Sequence, residues 1–145
     1  LEQFAPVVCS TGNNDPITDS RMKDVQVLEA EGWRIGMIHS LEREFRPMSE
    51  LKQLFPSPVD IMVAGHTHQE RLEYRDEVVL LNSGSITFPH HKELRLGTVG
   101  LLDLRPGTLH AEIIPLGDTP GRPNPASAMV LDIPNISSDS SSTVI

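Results

Sequence analysis

The stretch VDIMVAGHTHQE, residues 59–70, decides the reading of this chain: an apolar run delivers a glycine, Gly65, and then two histidines, His66 and His68, one threonine apart. Four to six consecutive apolar residues closed by a glycine and polar side chains predict a strand covered on both faces, with its working groups at its end. In an extended segment, residues two apart face the same side, so His66 and His68 are expected about 6.5 Å apart at Cα from the strand rise. That separation is wide for one ion but suits two neighbouring ions, which sit ~3.5–4 Å apart in two-metal sites. Gly65 is expected to provide the sharp turn, since it carries no Cβ to clash. Taken alone, a His-x-His pair in a loop is more often solvated than metal-bound.

Other runs end in the same manner. Residues 5–10 (APVVCS) form a short apolar run that predicts a strand, closed by the turn formers TGNNDP with Gly12, Asn13, Asn14 and Asp15. Residues 25–29 (VQVLE) and 33–39 (WRIGMIH), separated by Ala-Glu-Gly, predict a hairpin whose second strand stops at His39. Pro47, followed by Met48, Leu51, Leu54 and Phe55 at helical spacing, predicts a short amphipathic helix. Residues 77–81 (EVVLL) predict a strand that leads into NSGS, and residues 98–104 and 109–116, joined by RPGT, predict a second hairpin. Phe88, His90 and His91 follow NSGS and are candidates for substrate contact, although a histidine pair in a polar loop reads first as surface.

At 145 residues with 38% hydrophobic content, the chain is sized for one domain, residues 1–116. The last 29 positions hold four prolines, six serines and no aromatic residue, so residues 117–145 are expected to be a disordered tail apart from a docked AMVLDI. Twelve basic against twenty acidic residues give a net charge of −8, with no basic stripe, which disfavours strong nucleic-acid binding. The lone Cys9 excludes an internal disulfide and is expected in the core. No apolar run reaches the ~18 residues a membrane span needs, so the expectation is a chain without a membrane partner, located in the cytoplasm.

Apolar strands that feed loops carrying Asn, Asp and His lay out a ligand site at a sheet edge. The order GNND (Gly12 to Asp15), a strand ending in His39, GHTH (Gly65 to His68) and NSGS followed by Pro89 resembles the C-terminal two-thirds of the calcineurin-like metallophosphoesterases. The nearest branch is the small bacterial and archaeal phosphodiesterases that also include the retromer subunit vacuolar sorting protein 29. The resemblance runs from about Val7 to Leu116. It implies an α/β fold, the two-sheet αββα sandwich, and a phosphoesterase that hydrolyses a small phosphomonoester or phosphodiester with a water activated by two divalent ions. Mn²⁺ is the leading expectation, with Zn²⁺, Fe or Ni²⁺ also compatible with nitrogen and oxygen donors. By the same resemblance Asn13, His39 and His66 bind one metal and His68 the other, Asp15 orients the site, and Asn14 stands where some branches carry a catalytic histidine and others a cysteine.

One departure is at the front. The family opens with Asp-x-His and then Gly-Asp, yet no Asp-x-His occurs here and the single Gly-Asp is Gly117-Asp118. The chain, which begins without methionine, is therefore expected to be N-terminally incomplete. A non-catalytic protein-binding module on the same scaffold is the alternative function; oligomeric state is not readable.

Overall fold

A computed structural model describes residues 1–16, 18–41 and 46–134. Two sheets carry the chain. The first has five strands in the order β1-β2-β3-β5-β4: β1 (Val25–Ala30), β2 (Trp33–Ile38), β3 (Ile61–Ala64), β4 (Glu70–Arg75) and β5 (Val78–Ser83). The second is an antiparallel meander of β6 (Thr98–Arg105), β7 (Thr108–Pro115) and β8 (Met129–Ile133).

The continuous apolar runs of β3 and β5 are explained by cover on both faces. Ile61, Val79 and Leu81 face the second sheet, where they meet Leu109, Ala111 and Ile133, and Trp33 joins this cluster from β2. Met62, Ala64, Val78 and Leu80 point the other way, onto Met48, Leu51 and Phe55. The latter come from helix α1 (Met48–Leu51), which Pro47 precedes, and from a 3-10 turn over Lys52–Leu54, so the amphipathic segment is helical but shorter than one regular helix. Gly36 in β2 lies beneath Phe55, whose ring carbons would sit 2.5 and 2.6 Å from any Cβ placed there. The Trp33 indole N–H donates to the Arg105 carbonyl at 2.9 Å and ties the two sheets together.

Both expected hairpins are present, β1/β2 with Val25 opposite Ile38 and β6/β7 with Thr98 opposite Pro115. Four expectations need correction. Residues 5–10 are not a strand: they run irregular and exposed, joined to the fold at this point by the Ser10–Lys23 bridge, and Cys9 is accordingly exposed rather than in the core. An apolar run alone cannot become a strand without a neighbour to complete its ladder. Next, β4 was not anticipated, because ERLEYR is mostly charged and its two-residue turn, Asp76-Glu77, has left-handed φ angles of 49° and 64° without glycine or asparagine. Its charges suit an edge strand.

Third, β5 runs through Asn82 and Ser83 instead of ending at Leu81. Finally, the docked AMVLDI is present as β8, and order reaches further back through residues 117–127 than expected. Met129–Ile133 pair with β7, Leu131 and Ile133 enter the inter-sheet core, and Asn124 donates to the Gly97 carbonyl at 2.8 Å. The alternation in MVLDI makes this possible, one face apolar and inward, the other carrying Asp132. Residues 17, 42–45 and 135–145 lie outside the described residues.

Candidate metal and phosphoester site

β2, β3 and β5 run parallel, so their C-terminal ends fall along one edge of the sheet. Ligand sites of open α/β sheets form at that edge. There His39 follows β2, Gly65 to His68 follow β3, and Asn82 lies one residue from the end of β5. The Gly65 N–H donates to the His39 carbonyl at 3.0 Å, which extends the ladder one step past the strands and fixes His39 beside the GHTH loop.

Three side-chain atoms converge. His39 Nε2 lies 2.6 Å from Asn13 Oδ1 and 3.0 Å from His66 Nδ1, and the last two are 3.2 Å apart. The amide oxygen only accepts, and each neutral ring nitrogen carries either a proton or a lone pair, so no choice of tautomers satisfies all three contacts: either two N–H groups face each other or a ring lone pair faces the amide oxygen. A cation resolves that. Donors ~2.1 Å from one ion lie ~3.0 Å apart when octahedral neighbours and ~3.4 Å apart when tetrahedral; the 3.0 and 3.2 Å sides fall in that range, and the 2.6 Å side between His39 and Asn13 opens by about 0.4 Å to admit the ion. Among the described residues no three His, Cys, Asp or Glu side chains are arranged to hold a metal ion. The third donor of the triangle is instead the neutral Asn13 amide, and by this geometry the residues present fit one ion.

His68 faces a different part of the same site. Its Nδ1 is 2.8 Å from the Phe88 carbonyl oxygen, which can only accept, so Nδ1 carries the proton and Nε2 keeps the lone pair. Outer hydrogen bonds of this kind set the tautomer of metal-binding imidazoles. Asp15 Oδ2 accepts from the Gly12 N–H at 2.9 Å, and the turn closes with Asp15 N–H on the Gly12 carbonyl at 3.2 Å. A Cβ at Gly12 would stand 2.8 Å from that carboxylate and 3.4 Å from His39 Cε1, so the close approach needs glycine. Asn13, Asn14, Asp15, His39, His66 and His68 all line one cavity of about 410 Å³, with Phe88 and His91 on its far wall.

Burial, and then the neighbouring His66, hold the His39 imidazole below its ordinary pKa, against the opposing pull of Asp15. Its neutral form, the one that offers a lone pair, is thereby favoured.

The structure alters how GHTH works. Neither histidine is extended: φ is 66° at His66 and 56° at His68, so the turn is made by the histidines themselves and not by Gly65, where a Cβ would meet nothing closer than the His39 carbonyl at 3.8 Å. The extended-strand separation therefore does not apply. His91 is no bystander at the surface. Its ring stacks on His68 with centroids 3.9 Å apart and planes 13° from parallel, and its Nε2–H donates to the His66 carbonyl at 2.9 Å. Asn82 supports the same loops from beneath. It is 2% exposed, donates to the Gly65 carbonyl (2.9 Å) and Thr67 Oγ1 (3.0 Å), and accepts from the Gly84 N–H (3.0 Å). An asparagine near the end of a buried strand is the sequence signal that points to it.

A second cleft of about 410 Å³ opens at the opposite end of the sheet, between Arg34, Lys52, Phe55 and Glu77. Its guanidinium is engaged by the Asp60 carboxylate, at 3.3 and 3.2 Å.

The scaffold is thus a two-sheet α/β fold with Asn and His side chains gathered at the C-terminal ends of its parallel strands. The model of the calcineurin-like phosphoesterase superfamily domain matches residues 1–107, and the chain belongs to that superfamily. It is 35% identical over 121 residues to a probable metallophosphoesterase of Methanothermobacter thermautotrophicus, covering 81% of this chain and 67% of the relative. A probable metallophosphoesterase of Mycoplasma pneumoniae is 27% identical over 106 residues, covering 68% and 62%. The chain thus spans about two-thirds of the length of these relatives. Among solved structures, wild-type Vps29 of Entamoeba histolytica complexed with Zn²⁺ superposes with a TM-score of 0.66 at 20% identity, covering 91% of this chain and 71% of that one. Vps29 of Chaetomium thermophilum gives 0.64 at 17% identity, covering 86% and 67%. These likenesses establish the fold, the two-sheet α/β sandwich the motifs implied.

Proposed function

We propose that this chain carries the metal-binding half of a phosphoesterase that hydrolyses a small phosphomonoester or phosphodiester. The observation that supports it most is the triangle of Asn13 Oδ1, His39 Nε2 and His66 Nδ1, closed to within 3.2 Å at the end of two parallel strands. Asn13, His39 and His66 hold one divalent ion, and His68, through Nε2, reaches a second. Bound there, such ions supply Lewis-acid activation of water and neutralise charge on the phosphoryl oxygens.

The chain's own groups prepare for that chemistry. Neutral amide and imidazole donors leave the ions' charge unspent, so an anionic phosphoester is drawn in despite the acidic balance of the surface. Asp15, pinned by the Gly12 N–H, sets the Asn13 loop against His39, and Asn14 presents an amide to the cavity where a proton donor would otherwise stand. Asn14 can orient a substrate oxygen but cannot protonate a leaving group, so esters with good leaving groups are the better substrates. We take Mn²⁺ as the working metal and the cytoplasm as the compartment; among the described residues no helix is long and apolar enough to cross a membrane.

The test is hydrolysis of bis-p-nitrophenyl phosphate and p-nitrophenyl phosphate with Mn²⁺, comparing the unaltered chain with His66→Ala. Metal-dependent turnover lost in His66→Ala supports the reading, and turnover that survives His66→Ala sinks it. A protein-binding module is the second reading, because the outer face of the second sheet exposes Leu101 (50%), Ile114 (37%) and Val130 (61%). In that case Leu101→Asp, not His66→Ala, abolishes association in a pull-down; absence of turnover does not by itself favour this reading, because the chain lacks the family's opening Asp-x-His and Gly-Asp ligands.

A further inference from the structure

His66, His68, His90 and His91 all hold left-handed backbone angles, with φ of 66°, 56°, 56° and 52°. Each such residue costs about 1 kcal/mol or more and persists only where its surroundings over-determine it. Here the two pairs determine each other. The His90 N–H donates to the His68 carbonyl at 2.8 Å, the His91 Nε2–H donates to the His66 carbonyl at 2.9 Å, and His68 Nδ1–H returns to the Phe88 carbonyl at 2.8 Å. The His91 ring lies flat on that of His68.

The turn is itself anchored from behind. His90 Nε2 is 2.6 Å from Glu70 Oε2, and the Glu70 side chain is only 6% exposed, on the otherwise charged edge strand β4. The one hydroxyl proton of Thr98 is shared between the Ser83 carbonyl, 2.6 Å away, and Glu70 Oε1, 3.0 Å away, and the buried Thr98 thereby borders the carboxylate. A carboxylate brought inside at an edge strand is costly unless paired. Its pairing here terminates on the residue next to His91.

We propose that the Pro89–His91 turn is the clamp that sets both GHTH imidazoles, with His91 as the positioning residue and Glu70 as its buried anchor. The inference rests on the metal reading of the site. Through one hydrogen bond His91 fixes the backbone of the residue that completes the Asn13, His39 and His66 triangle, and through its ring it fixes the plane of His68. Substitution of the partners that orient metal ligands commonly weakens metal binding 10–100-fold.

The experiment titrates the full chain with Co²⁺ alone, read by visible absorption and calorimetry. It pairs this with ¹⁵N shifts of the His68 ring and amide exchange of residues 65–69 in metal-free protein. His91→Ala is expected to bind Co²⁺ 10–100-fold more weakly, to lose the single Nδ1–H tautomer of His68 and to speed exchange across 65–69. His91→Gln keeps a donor without the stacked ring and His91→Phe keeps the ring without a donor; both fall between. Glu70→Gln shows the same pattern in smaller degree, and His110→Ala, remote on β7, matches the unaltered chain. Since His91 is exposed, its truncation opens no cavity, and His91→Phe serves should the alanine variant not fold. Unchanged affinity with unchanged tautomer and exchange in His91→Ala overturns the clamp. If the unaltered chain takes up no Co²⁺, the metal reading fails, and the metal-free tautomer and exchange still decide whether His91 positions the loop.

Discussion

Replacing Asn82 tests how the site's loops are held. Its side chain makes hydrogen bonds at 2.9, 3.0 and 3.0 Å to Gly65, Thr67 and Gly84, from a position 2% exposed. Asn82→Ala leaves the Gly65 carbonyl and the Gly84 N–H without this partner, and an unsatisfied buried group costs about 1–3 kcal/mol. With some relaxation toward water, the expected loss is about 2–4 kcal/mol, a fall in Tm of roughly 5–15 °C for a chain of this size. Asn82→Asp is the sharper probe. It retains the acceptor for Gly84 but sets an oxygen against the Gly65 carbonyl, and burial raises the pKa of the introduced carboxyl. An acid with a raised folded-state pKa binds its proton more readily folded than unfolded, so its penalty is full at high pH and shrinks as pH falls. Urea unfolding in the presence of a chelator, with each variant compared with the unaltered chain at pH 8 and pH 5, reads both effects. A loss below about 0.5 kcal/mol in Asn82→Ala, or an Asn82→Asp penalty equal at the two pH values, would refute the reasoning.

Three further outcomes follow from the packing and charges. Gly36→Ala places a methyl against the buried Phe55 ring and is expected to destabilise by about 1–3 kcal/mol in the same unfolding assay, relieved by Phe55→Leu in the double variant. His110 is held above its ordinary pKa by Asp132, on β8, and then by Glu112, each 2.6 Å away. A raised folded-state pKa contributes stability that is full below about 6.5 and fades as pH rises through the folded value, so the stability gap between the unaltered chain and His110→Gln should narrow from pH 6 to pH 9. In metal-free protein, NMR titration of the histidine ring protons should place the His39 midpoint below 6.5 and that of His110 above it.

Much of the scaffold was legible in the sequence because its signals are local. IMVA and the β5 run are apolar on both faces, Pro-Gly at 106–107 marks a turn with Gly107 at φ 75°, and His39, His66 and His68 follow directly on strands β2 and β3. What escaped depends on neighbours distant in sequence. β4 is a strand because β5 offers it a ladder and Leu72 a place in the core, not because ERLEYR resembles one. APVVCS reads as a strand and is not one, having no such ladder among the described residues. Likewise His66 and His68 were legible as a pair, but their left-handed backbone is imposed by residues 88–91, about twenty positions away. The helical period of residues 48–55 was correct, while Phe55, in extended geometry, ended it within two short turns.

That Asn13, His39 and His66 hold a divalent ion is open to direct observation. Crystals of the chain soaked in Mn²⁺ or Zn²⁺ and measured at the metal's absorption edge test it directly. The account predicts an anomalous peak ~2.0–2.2 Å from Asn13 Oδ1, His39 Nε2 and His66 Nδ1. A map without that peak, or with metal only at surface carboxylates such as Glu112 and Asp132, would contradict it.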